Sequence, residues 1–221
     1  MLRDSRHVAL DRPANDLVIS YLNLRRAVGV LGMSLPFILA IGKWLVEGPA
    51  LMPSMSDYYH TDMRDVFVGA MCAIGVFLGS YRGFGGIDAV AGKAAAVLAI
   101  GVALFPCPPE DADAAARRIG AIHYVCAAGL FLTLAGFCFL FRRFDPARGK
   151  TMRKEKRNRI YATCGIVILV CIAVIAVYSL FRATKGPAAF QPVFWLEALA
   201  VFAFGFSWLV KGATILADET S

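Results

Sequence analysis

The chain has 221 residues, of which 58% are hydrophobic and 18% charged, and its mean hydropathy is +0.62. Soluble domains run at about 45–50% apolar and about 25% charged, so this balance excludes a disordered chain and argues against a soluble globular domain. The formal net charge is +7, from 23 Lys and Arg against 16 Asp and Glu.

The first 26 residues hold Arg3, Arg6, Arg12, Arg25 and Arg26. They lack the apolar run of about 7–15 residues before a small-residue cleavage site that marks a signal peptide. After Pro13, residues Leu17, Val18, Tyr21, Leu22 and Leu24 recur at near-helical spacing, with Asn15 or Asp16 placed to cap a helix. Residues 1–26 therefore read either as an interfacial helix or as a leader into the first span.

A hydrocarbon core of about 30 Å takes roughly 20 apolar residues in helix. Six stretches reach or approach that length: Ala27–Val46, Val66–Tyr81, Ala89–Phe105, Ile119–Phe141, Ile160–Phe181 and Val193–Val210. None shows the alternation of a β-barrel strand, and lipid offers no partner to unpaired backbone groups. The expected fold is an all-α polytopic transmembrane bundle with six spans over residues 27–216, followed by a short tail, 217–221.

Pro36 is expected to bend the first span. The second stretch is short, and its 16 residues cover about 24 Å at 1.5 Å each, which leaves Arg64 and Asp65 near the hydrocarbon edge. The third is rich in Ala and Gly, the small residues through which helices associate in lipid, and is expected at the centre. Pro106-Cys-Pro-Pro109 ends it. Phe202, Phe204, Phe206 and Trp208 repeat with period two, which on a helix spreads them over several faces as lipid-facing or packing surface. Five of the six cysteines (72, 126, 138, 164 and 171) lie within spans; only Cys107 lies in a loop, and no CxxC pair exists.

With the N-terminus inside, seventeen of the 23 basic residues fall on the cytoplasmic side. The positive-inside rule then places both termini in the cytoplasm. The densest basic run, Arg148 to Arg159, adjoins two spans. Its expected partners are the anionic headgroups of membrane lipids rather than nucleic acid.

Ionisable groups within a membrane are costly and mark function or a buried pair. Lys43, Ser56, Asp57, His60, Arg64, Asp65, His123 and Glu197 come from four segments that all reach the outer boundary. They form a candidate outward-facing polar pocket, with Glu197 expected to meet His60, His123, Arg64 or Lys43. Asp57, His60, His123 and Glu197 would suffice as a zinc ligand set. A structural knot of mutually neutralising groups is the bland alternative. The inner half of the spans shows nothing comparable, since Asp88, Lys93 and Lys211 lie near helix ends and can snorkel.

Ser56-x-x-x-His60 resembles the first motif of the membrane zinc hydrolases of the ceramidase and progestin-receptor superfamily, but no histidine follows His123 to supply that family's late HxxxH pair. More broadly, Ser54–Gly69, Tyr81-Arg82-Gly83, Ala103-Leu-Phe-Pro106 and Ile122-His123-Tyr124 resemble uncharacterised bacterial six-helix membrane proteins of a domain-of-unknown-function family, distantly like the Frag1/DRAM/Sfk1 proteins. That resemblance implies six spans and a polar first outer loop, in a bacterial inner membrane, and carries no reaction. The chain is expected to be a non-enzymatic binding or accessory protein. A metal-dependent hydrolase acting on a lipid or amide is the alternative, and a small transporter the third reading.

Overall fold

A computed structural model describes residues 5–81, 85–109, 111–142, 152–181 and 190–212, with side chains of the first helix from residue 22 onward. The described chain is helical throughout. It comprises α1 (Ser5–Glu47), a one-turn 3-10 helix (Ser56–His60), α2 (Arg64–Gly79), α3 (Gly86–Leu104), α4 (Ala114–Leu140), α5 (Met152–Phe181) and α6 (Pro192–Lys211). Five helices are long and apolar enough to cross a membrane: α1 from Leu22 onward, α3, α4, α5 and α6. These mark a multi-pass membrane protein. The sixth, α2, is 16 residues long.

The elements begin and end for local reasons. α1 is one 43-residue helix that runs through Pro13 and Pro36 without a break in its assignment. Asn15 and Asp16 therefore lie inside it rather than at its start. It stops at Glu47 because Gly48 takes φ +103° and Pro49 follows, the glycine-then-proline ending that an L side chain resists. Asp113 caps α4, its carboxylate accepting from the Ala116 amide at 2.7 Å. Pro192 opens α6, where its missing N–H costs nothing. α5 starts at Met152 rather than at Ile160, because the basic residues before the apolar stretch are also good helix formers. The rest of the basic run, 148–151, and the tail 217–221 lie outside the described residues.

The helices pack in chain order around a ring, each against its neighbours, and α6 closes on α1. Small residues set the closest approaches. A Cβ on Gly92 of α3 would stand 2.5 Å from the Leu78 carbonyl oxygen of α2, and one on Gly205 of α6 would stand 2.6 Å from the Gly29 carbonyl oxygen of α1. The Ala- and Gly-rich α3 is thus a ring member seated between α2 and α4, with Val90 and Val97 facing outward. Of the five long apolar helices, α6 is the most buried, at 44% of its apolar stretch. Its Phe204 and Trp208, four residues apart and so on one face, point into the ring at 1% and 0% exposure, while Phe202 faces out. Helical period, not the period-two run, decides which of these aromatics form the core.

Candidate functional site

The two ends of the ring are built differently. At one end the segment between α1 and α2 folds over the opening and is tied to every neighbouring element. Pro53 accepts from the Phe194 amide of α6 at 3.0 Å, and the buried Tyr58 ring packs on Phe194 at 5.9 Å. Glu197 of α6 accepts from the Met55 amide at 2.6 Å. Asp57 turns back on its own loop, where Oδ2 accepts from the Ser54 hydroxyl at 2.8 Å and the Ser54 amide at 2.9 Å. His60 donates from Nε2 to the Cys107 carbonyl at 2.8 Å. The Cys107 thiol approaches the Ser56 carbonyl at 3.2 Å.

His123, 1% exposed on α4, joins this plug to the wall. Its Nδ1 lies 2.7 Å from the Phe105 carbonyl, which can only accept, so that nitrogen carries the hydrogen. In the neutral imidazole Nε2 then accepts from the Ser56 hydroxyl at 2.9 Å. Burial, together with the nearby Asp57 carboxylate, pushes the Cys107 thiol well above the usual cysteine range, and burial pushes Tyr58 up from its ordinary value. All six cysteines are free thiols.

Of the eight sequence candidates, Ser56, Asp57, His60, His123 and Glu197 gather in this plug, where Ser56 and His123 meet each other while Asp57, His60 and Glu197 turn to other partners. Among the described residues no three His, Cys, Asp or Glu side chains group closely enough to hold a metal ion. The zinc set of Asp57, His60, His123 and Glu197 therefore does not form, because each is committed to a different backbone or hydroxyl partner. Glu197 meets a backbone amide rather than His60, His123, Arg64 or Lys43. Among the described residues, no Lys or Arg enters the cluster either. Lys43 pairs with Glu47 one turn along its own helix at 3.5 Å. Arg64 stacks on Tyr59, 4.5 Å from the ring centroid, and donates to its hydroxyl at 2.9 Å. Asp65 is exposed at the start of α2.

Beneath the plug lies a cavity of about 50 Å³ enclosed by α1, α2, α3, α4 and α6. Its walls are apolar, with Phe67, Met71, Leu130 and Phe204 among them, and its polar side chains are Ser56 and Glu197. Two of the candidate pocket residues, Ser56 and Glu197, thus reach an otherwise apolar chamber. A chamber with such walls stays dry and accepts apolar groups.

The opposite end carries Asp88 and Lys211, which the hydropathy reading leaves to snorkel, together with Arg25. Asp88 is 3% exposed and Arg25 8%. Arg25 donates to the Lys211 carbonyl at 3.3 Å and stands over the Tyr81 ring at 5.6 Å. The Lys211 ammonium lies 5.1 Å from the Phe141 centroid. Trp208 sits among Tyr81, Phe141, Phe137 and Phe204, with centroids 4.9 to 5.7 Å away. A period count could have found the Phe204 and Trp208 pair; no local signal brings Arg25 and Asp88 to this end together.

Comparison with known protein families finds no match, and comparisons with characterised proteins and with solved structures find none either.

Proposed function

We propose that the chain is a non-enzymatic membrane binding or accessory protein that takes an apolar chain into the central chamber, with Ser56 and Glu197 meeting the polar end. The observation that carries this reading is the chamber itself, apolar on all sides except at those two residues. The six-span threading, with α2 as a short span and both termini in the cytoplasm of a bacterial inner membrane, belongs to the same proposal. So does the likeness to six-helix proteins of unknown function. The charge bias supports the orientation, and the basic run entering α5 supports attraction to anionic headgroups. Reporter fusions active only outside should be active near residues 60, 112 and 186 and silent near 86, 150 and 219; activity at 150 reverses the orientation. Native mass spectrometry of protein purified in mild detergent tests the binding. Wild type should retain an apolar-chain ligand, and Ala127→Phe, which fills the chamber wall, should lose it.

One observation favours a second reading. Ser56 Oγ donates to an imidazole whose other nitrogen is anchored on a carbonyl. That is the relation between nucleophile and base in acyl transfer. In a hydrolase of this kind the Ser56 oxygen would bond to an acyl carbon as its proton passes to His123. The bond from that carbon to the leaving alcohol or amine would break as His123 returns the proton to it, and water would then release the acid and restore the Ser56 hydroxyl. Covalent labelling of wild type, but not of Ser56→Ala, by a fluorophosphonate would establish it in place of simple binding.

A further inference from the structure

A second cavity lies outside the plugged chamber. It is about 350 Å³ in volume and runs along the seam between α1 and α2. Leu31, Leu35 and Ile38 of α1 face Gly69 and Ala73 of α2 across it, and its polar side chains are Ser34 and Asp65. Ile38 is 46% exposed and Val66 40%, so the groove opens sideways from the bundle, toward the lipid phase of a membrane. Gly69 shows that the space is real: a Cβ built there meets nothing within 4 Å. At the tight helix contacts, by contrast, a Cβ on Gly92 or Gly205 would strike a neighbouring carbonyl at once. Leu35 lines both this groove and the central chamber, so one 2% exposed side chain separates the two.

The mouth of the groove has a defined charge pattern. Asp65 is exposed there and, among the described residues, makes no ion pair or hydrogen bond. Its neighbour in sequence is Arg64, whose guanidinium is steadied over Tyr59. One negative group therefore stands at the head of an apolar slot, and a positive one precedes it by a single residue at the start of α2.

We propose that the α1–α2 groove is a lateral binding site for a phospholipid whose headgroup carries an ammonium group. One acyl chain lies along Gly69 and Ala73, the ammonium meets Asp65 and the phosphate meets Arg64. A purely anionic headgroup satisfies Arg64 but is repelled by Asp65, so the pair selects a zwitterionic lipid. Leu35 then stands where a chain end would pass from the groove into the chamber. This rests on the reading of the chain as a membrane-spanning binder of apolar chains.

The test uses full-length protein in nanodiscs of mixed phosphatidylethanolamine, phosphatidylcholine and phosphatidylglycerol, released into mild detergent for native mass spectrometry. Wild type should retain the two ammonium lipids over phosphatidylglycerol by about two- to fivefold, the worth of one exposed ion pair. Asp65→Asn should keep the lipid but lose that preference. Gly69→Leu points into open space, so it should melt like wild type while losing the lipid. Equal retention of all three lipids by wild type overturns the headgroup assignment. Undiminished retention by Gly69→Leu overturns the site. Ala127→Phe separates this from the function reading. Lipid lost on Gly69→Leu alone leaves the groove standing without the chamber, and lipid lost on Ala127→Phe alone leaves the chamber without the groove.

Discussion

The plug end and the Trp208 end close the same ring by opposite means. The plug uses short directional bonds from a loop: Met55 to Glu197, Ser56 to His123, His60 to the Cys107 carbonyl. The far end uses aromatic bulk, with cations laid over rings. Dispersion and area scale with buried volume, whereas one hydrogen bond nets only about 0.5–1.5 kcal/mol. The aromatic end should therefore hold the bundle together, and the plug should hold a shape. An end held by separable bonds can open without unfolding the ring, which suits the end that covers a chamber.

The sharpest way to break this comparison is Trp208→Ala. Removing the centre of the aromatic nest should cost about 3–5 kcal/mol, read by unfolding in detergent. Trp208→Phe should cost much less. It keeps most of the bulk and removes an indole N–H that is buried without an acceptor among the described residues, a donor that is itself expensive to bury.

Next comes the α1–α6 contact. Gly205→Ala pushes a methyl into the Gly29 carbonyl and the Met33 side chain and should cost about 1–3 kcal/mol. Of the same order is His123→Ala, which leaves the Phe105 carbonyl and Ser56 hydroxyl seeking partners and should cost about 1–3 kcal/mol. It should also raise proteolysis within residues 51–62 while the far end stays intact. A loss from His123→Ala larger than that from Trp208→Ala would invert the assignment of roles.

The smallest effect concerns Cys107. Its thiol is 2% exposed, and burial together with Asp57 makes it less acidic than an ordinary cysteine. The folded state therefore disfavours the thiolate, and this contribution to stability is fully present below the ordinary cysteine range and is lost progressively as pH rises from there toward the raised folded value. Alkylation of Cys107 in folded protein should stay slow and nearly flat between pH 7 and 9. A rate that climbs across that range as an exposed cysteine's does would show the plug open in solution.

Much of this architecture is legible in the residues alone. Apolar runs near the length of a bilayer, with no alternation, dictate helices wherever the backbone must satisfy itself, and the observed helices overlie all six expected stretches. Local chemistry also fixes ends such as Gly48-Pro49 and Pro192. The gathering of Ser56, Asp57, His60, His123 and Glu197 at one end follows from depth, because residues one turn inside successive antiparallel helices must arrive at the same level.

What each side chain does on arrival is a tertiary matter. Depth cannot say that Glu197 meets the Met55 amide rather than a histidine, that the four supposed ligands point apart, or that Asp88 and Arg25 are buried. Those outcomes depend on helix rotation about its own axis and on loop path. Both are set by which small residues let two backbones approach, as Gly92 does at Leu78 and Gly205 at Gly29. Hydropathy determines that a helix crosses and roughly where; only the packed ring decides which way it faces.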